Sequence, residues 1–178
     1  FDEYSICNIC GTLRTIYSCD ETQYNAGYFE VCLKYLLTDI NTPLNLSRLG
    51  MISRWLKGHA KVLDIGCNTG EFIRFAEQHY DCYGVEINEK AAEFAKSRLV
   101  RSPVYLSLNG SIPRVDAVTL FDVIEHLEDP LKLLRQIHDD YLHIGGVLMV
   151  TTPNISKVTH PTKVKSWKHY KPREHLFC

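Results

Sequence analysis

From Lys61 onward, short apolar runs alternate with amphipathic stretches. The runs Val62 to Ile65, Tyr83 to Ile87, Val104 to Leu108, Val115 to Phe121 and Val147 to Thr151 are the length of buried strands. Between them, Glu71 to Tyr80 places Phe72, Phe75, Ala76 and His79 on one helical face, and Asn88 to Val100 aligns Ala91, Ala95 and Leu99 behind Asn88 as an N-cap. A third helix is signalled by Asp129 as cap and Pro130 at the first helical position, with Leu131, Leu134 and Ile137 beneath and a stop at Gly145-Gly146. Strands alternating with helices predict an α/β fold, a doubly wound parallel sheet covered on both faces. The link from Ser107 to Asp116 is too short for a crossover helix. About nine extended residues reach about 30 Å, enough for the diagonal of about 22 Å that a strand order 3-2-1-4-5 requires.

Upstream, Tyr28 to Ile40 and Leu44 to Leu56 read as two helices parted at Asn41-Thr42-Pro43. Residues 1–27 carry a Cys-x-x-Cys and no sustained period, so they read as a loop-rich appendage. The expected organisation is an appendage over 1–27, a helical preface over 28–58 and a core over 59–178, whose irregular segment 153–178 has the character of a lid.

Composition narrows the function classes. The chain has 178 residues, 45% of them apolar, enough for one domain with a sizeable core. Lys and Arg number 20 against 21 Asp and Glu, so the whole-surface positive field used in nonspecific nucleic-acid binding is absent. No apolar run approaches the roughly 20 residues of a membrane helix, and the first residues lack the pattern of a secretion signal. Seven cysteines, an odd count, fit a reduced cytoplasmic compartment better than a disulfide framework. The chain begins at Phe1 instead of Met, from which missing N-terminal sequence is expected.

The chemistry concentrates at Val62-Leu63-Asp64-Ile65-Gly66-Cys67-Asn68-Thr69-Gly70-Glu71-Phe72, a strand feeding a glycine-bearing turn that opens a helix. Gly66 and Gly70 allow close approach of backbone to a ligand, and Asn68 tolerates positive φ. Glu86 ends the next strand, where an acid accepts hydrogen bonds from both hydroxyls of a ribose. The dinucleotide fingerprint G-x-G-x-x-G and the phosphate loop G-x-x-x-x-G-K-[ST] are both absent. Asp64, two residues before Gly66, would repel a pyrophosphate but suits the ammonium end of a cationic, zwitterionic ligand.

This stretch resembles motif I of the class I S-adenosylmethionine-dependent methyltransferases, acid-x-Gly-x-Gly-x-Gly, with Asn68 in place of the middle glycine. The segment Asp116 to Pro130 is similar to the fourth-strand motif of small-molecule methyltransferases, including those acting on quinone precursors. The resemblance implies a Rossmann-like sheet, here expected to lack its last strands, and S-adenosylmethionine as cofactor. It implies that Asp64, Gly66 and Gly70 flank the methionine part, with Cys67, Asn68 and Phe72 in the same shell. Glu86 would hold the ribose and Ile87 pack on adenine, while Phe121, Asp122 and Val123 border the methyl group. The third strand lacks the family's adenine-binding acid, leaving Asn109 as a substitute.

Three roles are open to His126: general base for methyl transfer to a hydroxyl, a helix-entry histidine bonded to backbone, or a ligand of a divalent cation with Asp122 and Glu125. Tyr170 and His175 are further acid/base candidates in the tail Trp167 to Phe177, which resembles the segment lying over the acceptor site in these enzymes. Residues 157–173 hold five Lys and one Arg and no acid, which suggests an anionic small-molecule acceptor or merely a solvated loop. Cys7-x-x-Cys10-Gly11 resembles one knuckle of the zinc ribbon that precedes some methyltransferase domains, which makes Cys7 and Cys10 candidate zinc ligands, with Cys19 a candidate third; the alternative is free or lost-partner thiols. The rival to an enzyme is a noncatalytic zinc-containing interaction module with a vestigial nucleotide pocket.

Overall fold

The computed structural model describes residues 3–18, 26–36, 41–155 and 165–177. Five parallel strands form the central sheet: β3 (Lys61–Ile65), β4 (Asp81–Val85), β5 (Val104–Tyr105), β6 (Val115–Phe121) and β7 (Leu142–Thr151), in the order β5-β4-β3-β6-β7. This is the 3-2-1-4-5 order expected from the short link, and the chain between β5 and β6 forms no helix. Central β3 and β6 are apolar on both faces because helices cover both: Val62, Leu63, Val115, Ala117, Val118 and Leu120 are each at most 1% exposed.

Two small strands, β1 (Tyr4–Ile6) and β2 (Leu13–Thr15), pair as an antiparallel hairpin within the predicted loop-rich appendage. Three residues each are too few to show a period. The preface is helical, with α1 over Ala26–Leu36 and α2 over Asn41–Ile52, so Pro43 lies in the first turn of α2, where its missing N–H costs nothing. Helix α3 (Glu71–Ala76) buries Phe72, Ile73 and Ala76. The predicted Asn88 cap is present at the head of α4 (Glu89–Arg98), its side chain accepting from the Ala91 N–H. Asp129 likewise caps α5 (Pro130–Gln136).

Several boundaries differ from expectation. Strand β4 starts and stops two residues early, because Glu86 and Ile87 leave the ladder at the ligand-facing edge. The helix predicted to run to Gly145-Gly146 ends instead in a π-turn over Ile137–Tyr141, and both glycines lie inside β7, at a shift of register against β6. Leu131 is 60% exposed, and Ile137 carries the burial that was expected of both. Among the described residues no strand pairs with the outer edge of β7, where Ile144, Leu148 and Val150 are exposed.

Candidate active site

The sheet changes direction between β3 and β6: the chain winds outward through β4 and β5 on one side and through β7 on the other. Ligands of such sheets sit in the crevice at the carboxyl ends of the strands, at this switch point. The register places Ile65 beside Val85 and Leu120, so the Gly66 turn, Glu86 and Phe121 emerge on one edge. Two cavities, lined in part by Leu56, Gly58 and Tyr80 and by Ala60, Asp116 and Gly146, lie at the opposite end.

The turn is held by Val85, whose carbonyl accepts the N–H groups of Gly66 and Cys67. Three of its residues adopt positive φ: Gly66 at 74°, Asn68 at 51° and Gly70 at 76°. Asn68 thus holds a left-handed conformation of the kind glycine supplies, and its amide donates to Cys32 Sγ of α1 at 3.0 Å. A Cβ on Gly66 would stand 2.5 Å from Val123 Cγ2. Gly66→Ala therefore combines a left-handed φ with a clash, and a loss of about 1–3 kcal/mol is expected in denaturant titration.

Two buried carboxylates flank the turn. Asp64 is 3% exposed, and its Oδ1 accepts from Thr119 Oγ1 at 2.6 Å. Burial pushes its pKa up to about 7 against the opposing effects of the Thr119 hydrogen bond and the Arg48 charge, and Glu86 raises it further. The Glu86 carboxylate accepts the N–H of Asn68 on one oxygen and of Asn88 on the other, at 2.9 and 2.8 Å. Burial still prevails over these donors and raises its pKa. The Ile87 N–H also donates to this carboxylate, and of its about four acceptor positions one remains for a ligand. Beside it Ile87 is 63% exposed, an apolar platform at a strand end. Cys67 is buried, and burial first, then the Asp64 and Glu86 charges, pushes its thiol well above the ordinary range, the environment of a small core residue. Asn109 spends its amide on its own turn, donating to the Ser107 carbonyl and accepting from the Ser111 N–H.

Phe72 and Phe121 meet edge to face at 4.9 Å between centroids. Arg48, on the buried stripe of α2 with Asn45 and Ile52, covers the other side of Phe121 with its guanidinium 4.2 Å from the ring centroid. Its Nη2 pairs with Asp122 Oδ2 at 3.0 Å, Nη1 donates to Asn45 Oδ1, and buried Nε has no hydrogen-bond partner. The sequence reading missed Arg48. Its signal was a cation at the core-facing i, i+3, i+7 positions of an amphipathic helix. Asp122 holds φ at 57°, a rare conformation for a residue with a side chain, and is occupied by Arg48 and Thr151.

Past Asp122 the chain makes a 3-10 turn over Ile124–His126. The tail docks there: the N–H groups of Leu176 and Phe177 both donate to the Glu125 carbonyl. His126 Nδ1 lies 2.7 Å from the Glu174 carbonyl and His175 Nδ1 lies 2.9 Å from that of His169, so each ring carries its proton on Nδ1 and is basic at Nε2. Burial depresses both imidazoles, His175 to about 4, so they are neutral near pH 7. The rings pack edge to face, 4.9 Å between centroids. Glu125 is 1% exposed, and burial raises its carboxyl to about 7. The structure thus joins Glu125 and His126 to His175, while Asp122 is turned to Arg48. Tyr170, expected beside them, donates its hydroxyl to Glu3 at 2.7 Å instead.

Cys7 and Cys10 sit exposed at the tip of the β1–β2 hairpin, where the Gly11 N–H closes a turn onto the Cys7 carbonyl. Hydrogen bonding to Thr12 lowers the Cys10 thiol. Cys19 and residues 157–164 of the basic run lie outside the described residues.

A family model described as a methyltransferase domain matches residues 41–178, more than half of the chain. The chain belongs to the class I S-adenosylmethionine-dependent methyltransferases. Among curated relatives of this methyltransferase, the ubiquinone biosynthesis O-methyltransferase of Nitrosospira multiformis is 30% identical over 103 residues, covering 52% of the chain and 43% of the relative. The chain therefore spans less than half the length of that protein. Among solved structures, the PH0226 protein of Pyrococcus horikoshii superposes with a TM-score of 0.61 at 22% identity, over 79% of the chain and 67% of the neighbour. The plantazolicin methyltransferase BpumL, solved with a desmethyl plantazolicin analogue and SAH, gives 0.60 at 16% identity, over 83% and 60%. These two likenesses concern the fold of the methyltransferase.

Proposed function

We propose that this methyltransferase binds S-adenosylmethionine at the carboxyl ends of β3 and β4 and transfers its methyl group to a small-molecule acceptor, at oxygen. The observation that carries the reading is the pair of buried carboxylates, Asp64 and Glu86, on neighbouring strand tips across a turn stripped of side-chain bulk. Glu86 raises Asp64, and both carboxylates raise Cys67 between them, a negative potential that suits a cationic ligand. Glu86 would take a ribose hydroxyl and Ile87 the adenine. Arg48, with its unpartnered Nε, would pair with the methionine carboxylate.

Bound there, the cofactor supplies an electrophilic methyl on a positively charged sulfur. Phe121 and Asp122 shape the wall beside it. His126, neutral and fixed through Nδ1, presents Nε2 as the proton acceptor for a hydroxyl brought in line with the methyl, and the tail covers the site against water. Described basic residues of that tail, including Lys168 and Lys171, favour an anionic acceptor. Cys7 and Cys10 offer two thiolates of a tetrahedral zinc site that needs two more ligands. Among the described residues no helix is long and apolar enough to cross a membrane, and five free cysteines fit the cytoplasm.

Calorimetric titration with S-adenosylmethionine tests the reading. Because the folded pKa of Asp64 is raised to about 7, the proton it holds stabilises the empty protein below the ordinary carboxylate range, and that stability is lost as pH rises to about 7. A cation beside Asp64 favours the ionised form. Affinity should therefore fall by up to about tenfold per unit as pH drops below about 7, with proton release on binding, and Asp64→Asn should abolish that slope. Absence of binding heat at every pH would leave the noncatalytic module as the better description.

A further inference from the structure

The turn between β3 and α3 holds a polar atom that the protein itself leaves unsatisfied. Asn68 is half-buried, and its Oδ1 is shielded from solvent without a hydrogen-bond partner. The other polar groups of its N–H side are engaged: the backbone N–H donates to Glu86 Oε2 at 2.9 Å, and the side-chain amide donates to Cys32 Sγ at 3.0 Å. The oxygen and nitrogen of a carboxamide diverge from one carbon, so the bond to Cys32 decides where Oδ1 points. Cys32 is buried on α1, and burial first, with the Glu86 charge as a further cause, raises its thiol, which places the sulfur in the same surroundings as that carboxylate. A buried carbonyl oxygen without a donor is costly, and a ligand that brings a donor removes the cost.

The donor is identified by a shortage of acceptors. Glu86 already receives the N–H groups of Asn88, Asn68 and Ile87, which leaves one acceptor position on its carboxylate. A ribose presents two neighbouring hydroxyl donors. One of them needs a second acceptor, and Asn68 is tied through its own backbone to the carboxylate that takes the first. We propose that Asn68 is a specificity-determining residue of the cofactor site, its Oδ1 accepting one ribose hydroxyl while Glu86 takes the other, with Cys32 as the residue that positions the amide. The contact rests on the S-adenosylmethionine reading and refines it. Reaching the hydroxyl takes a rotation about the Cβ–Cγ bond of Asn68, a broad torsion with little resistance. The motif that this turn resembles has glycine at position 68, and glycine has no side chain to offer. The asparagine keeps the left-handed backbone and adds an acceptor, so the site selects nucleosides with an intact diol.

The test is calorimetric titration with S-adenosylmethionine and with its 2′-deoxy and 3′-deoxy analogues. Wild type should bind each analogue about tenfold more weakly than the parent, the loss of one hydrogen bond. Asn68→Gly preserves the turn, because glycine adopts a φ of 51° without strain. It should lose about tenfold toward S-adenosylmethionine and nothing further toward one of the analogues, while the other keeps its full penalty. Cys32→Ala should shrink the penalty of that same analogue to about threefold or less, and Cys32→Ser, whose hydroxyl can accept the amide N–H, should restore it. A mere packing defect would weaken all three ligands alike and leave their ratios unmoved. Wild-type ratios for both analogues in Asn68→Gly overturn the ribose contact, and unchanged ratios in Cys32→Ala overturn the positioning role. Failure of the cofactor reading has its own signature, no heat from S-adenosylmethionine in wild type, and the ribose contact falls with it.

Discussion

Replacement of His126 by alanine is expected to lower methyl-transfer turnover by about 10²–10⁴-fold while leaving cofactor affinity within about threefold of wild type. The asymmetry follows from position. His126 sits in the 3-10 turn beyond the end of β6, bonded to Glu174 of the tail and packed on His175, away from the Asp64 and Glu86 carboxylates proposed to hold the cofactor. Neither proton acceptance nor metal ligation by this ring touches the nucleoside. The measurement is S-adenosylhomocysteine release with an acceptor that supports turnover by the wild-type chain, beside calorimetry of S-adenosylmethionine. Equal losses in both would move His126 into the cofactor shell.

The second large effect concerns the cofactor. Glu86→Ala should weaken S-adenosylmethionine binding by about 10²-fold, since hydrogen bonds to a charged acceptor contribute about 1.5–3 kcal/mol each. Part of the loss comes through the turn, because the same carboxylate holds the N–H groups of Asn68 and Asn88. Glu86→Gln keeps one carbonyl oxygen and its shape, so it should fall between wild type and alanine. Unchanged affinity in Glu86→Ala would contradict the ribose contact.

The parts of this protein that were legible in its sequence are those in which local chemistry and tertiary demand agree. The β3 run, the glycine turn and the Asn88 and Asp129 caps each need a residue type that few others supply, and each stands where expected. Asn68 was read as tolerant of positive φ, and its φ of 51° shows why it serves. What was illegible depends on segments far apart in the chain. The pairing of His175 with His126 arises because the tail folds back onto the Glu125 carbonyl, a contact no spacing rule encodes. Arg48 reaches Phe121 across more than seventy positions of sequence. The fate of Gly145-Gly146 turned on the π-turn, whose extra residue per turn shifts the path so that β7 begins earlier than its apolar run.

The two ends of the chain build the seat of His175 together. Thr15 of β2 donates its N–H to the Leu176 carbonyl and its hydroxyl to that of Pro172, Tyr4 donates to the carbonyl of His175 itself, and Arg14 bridges Phe177. A protein trimmed to residues 41–178, the span matched by the methyltransferase domain, would keep every strand of the large sheet and yet lose the hairpin's share of the hold on His175. The hairpin is thus a brace for a ring carried at the far end of the polypeptide, so loosening its three-residue strands would loosen His175 before it touched any strand of the large sheet.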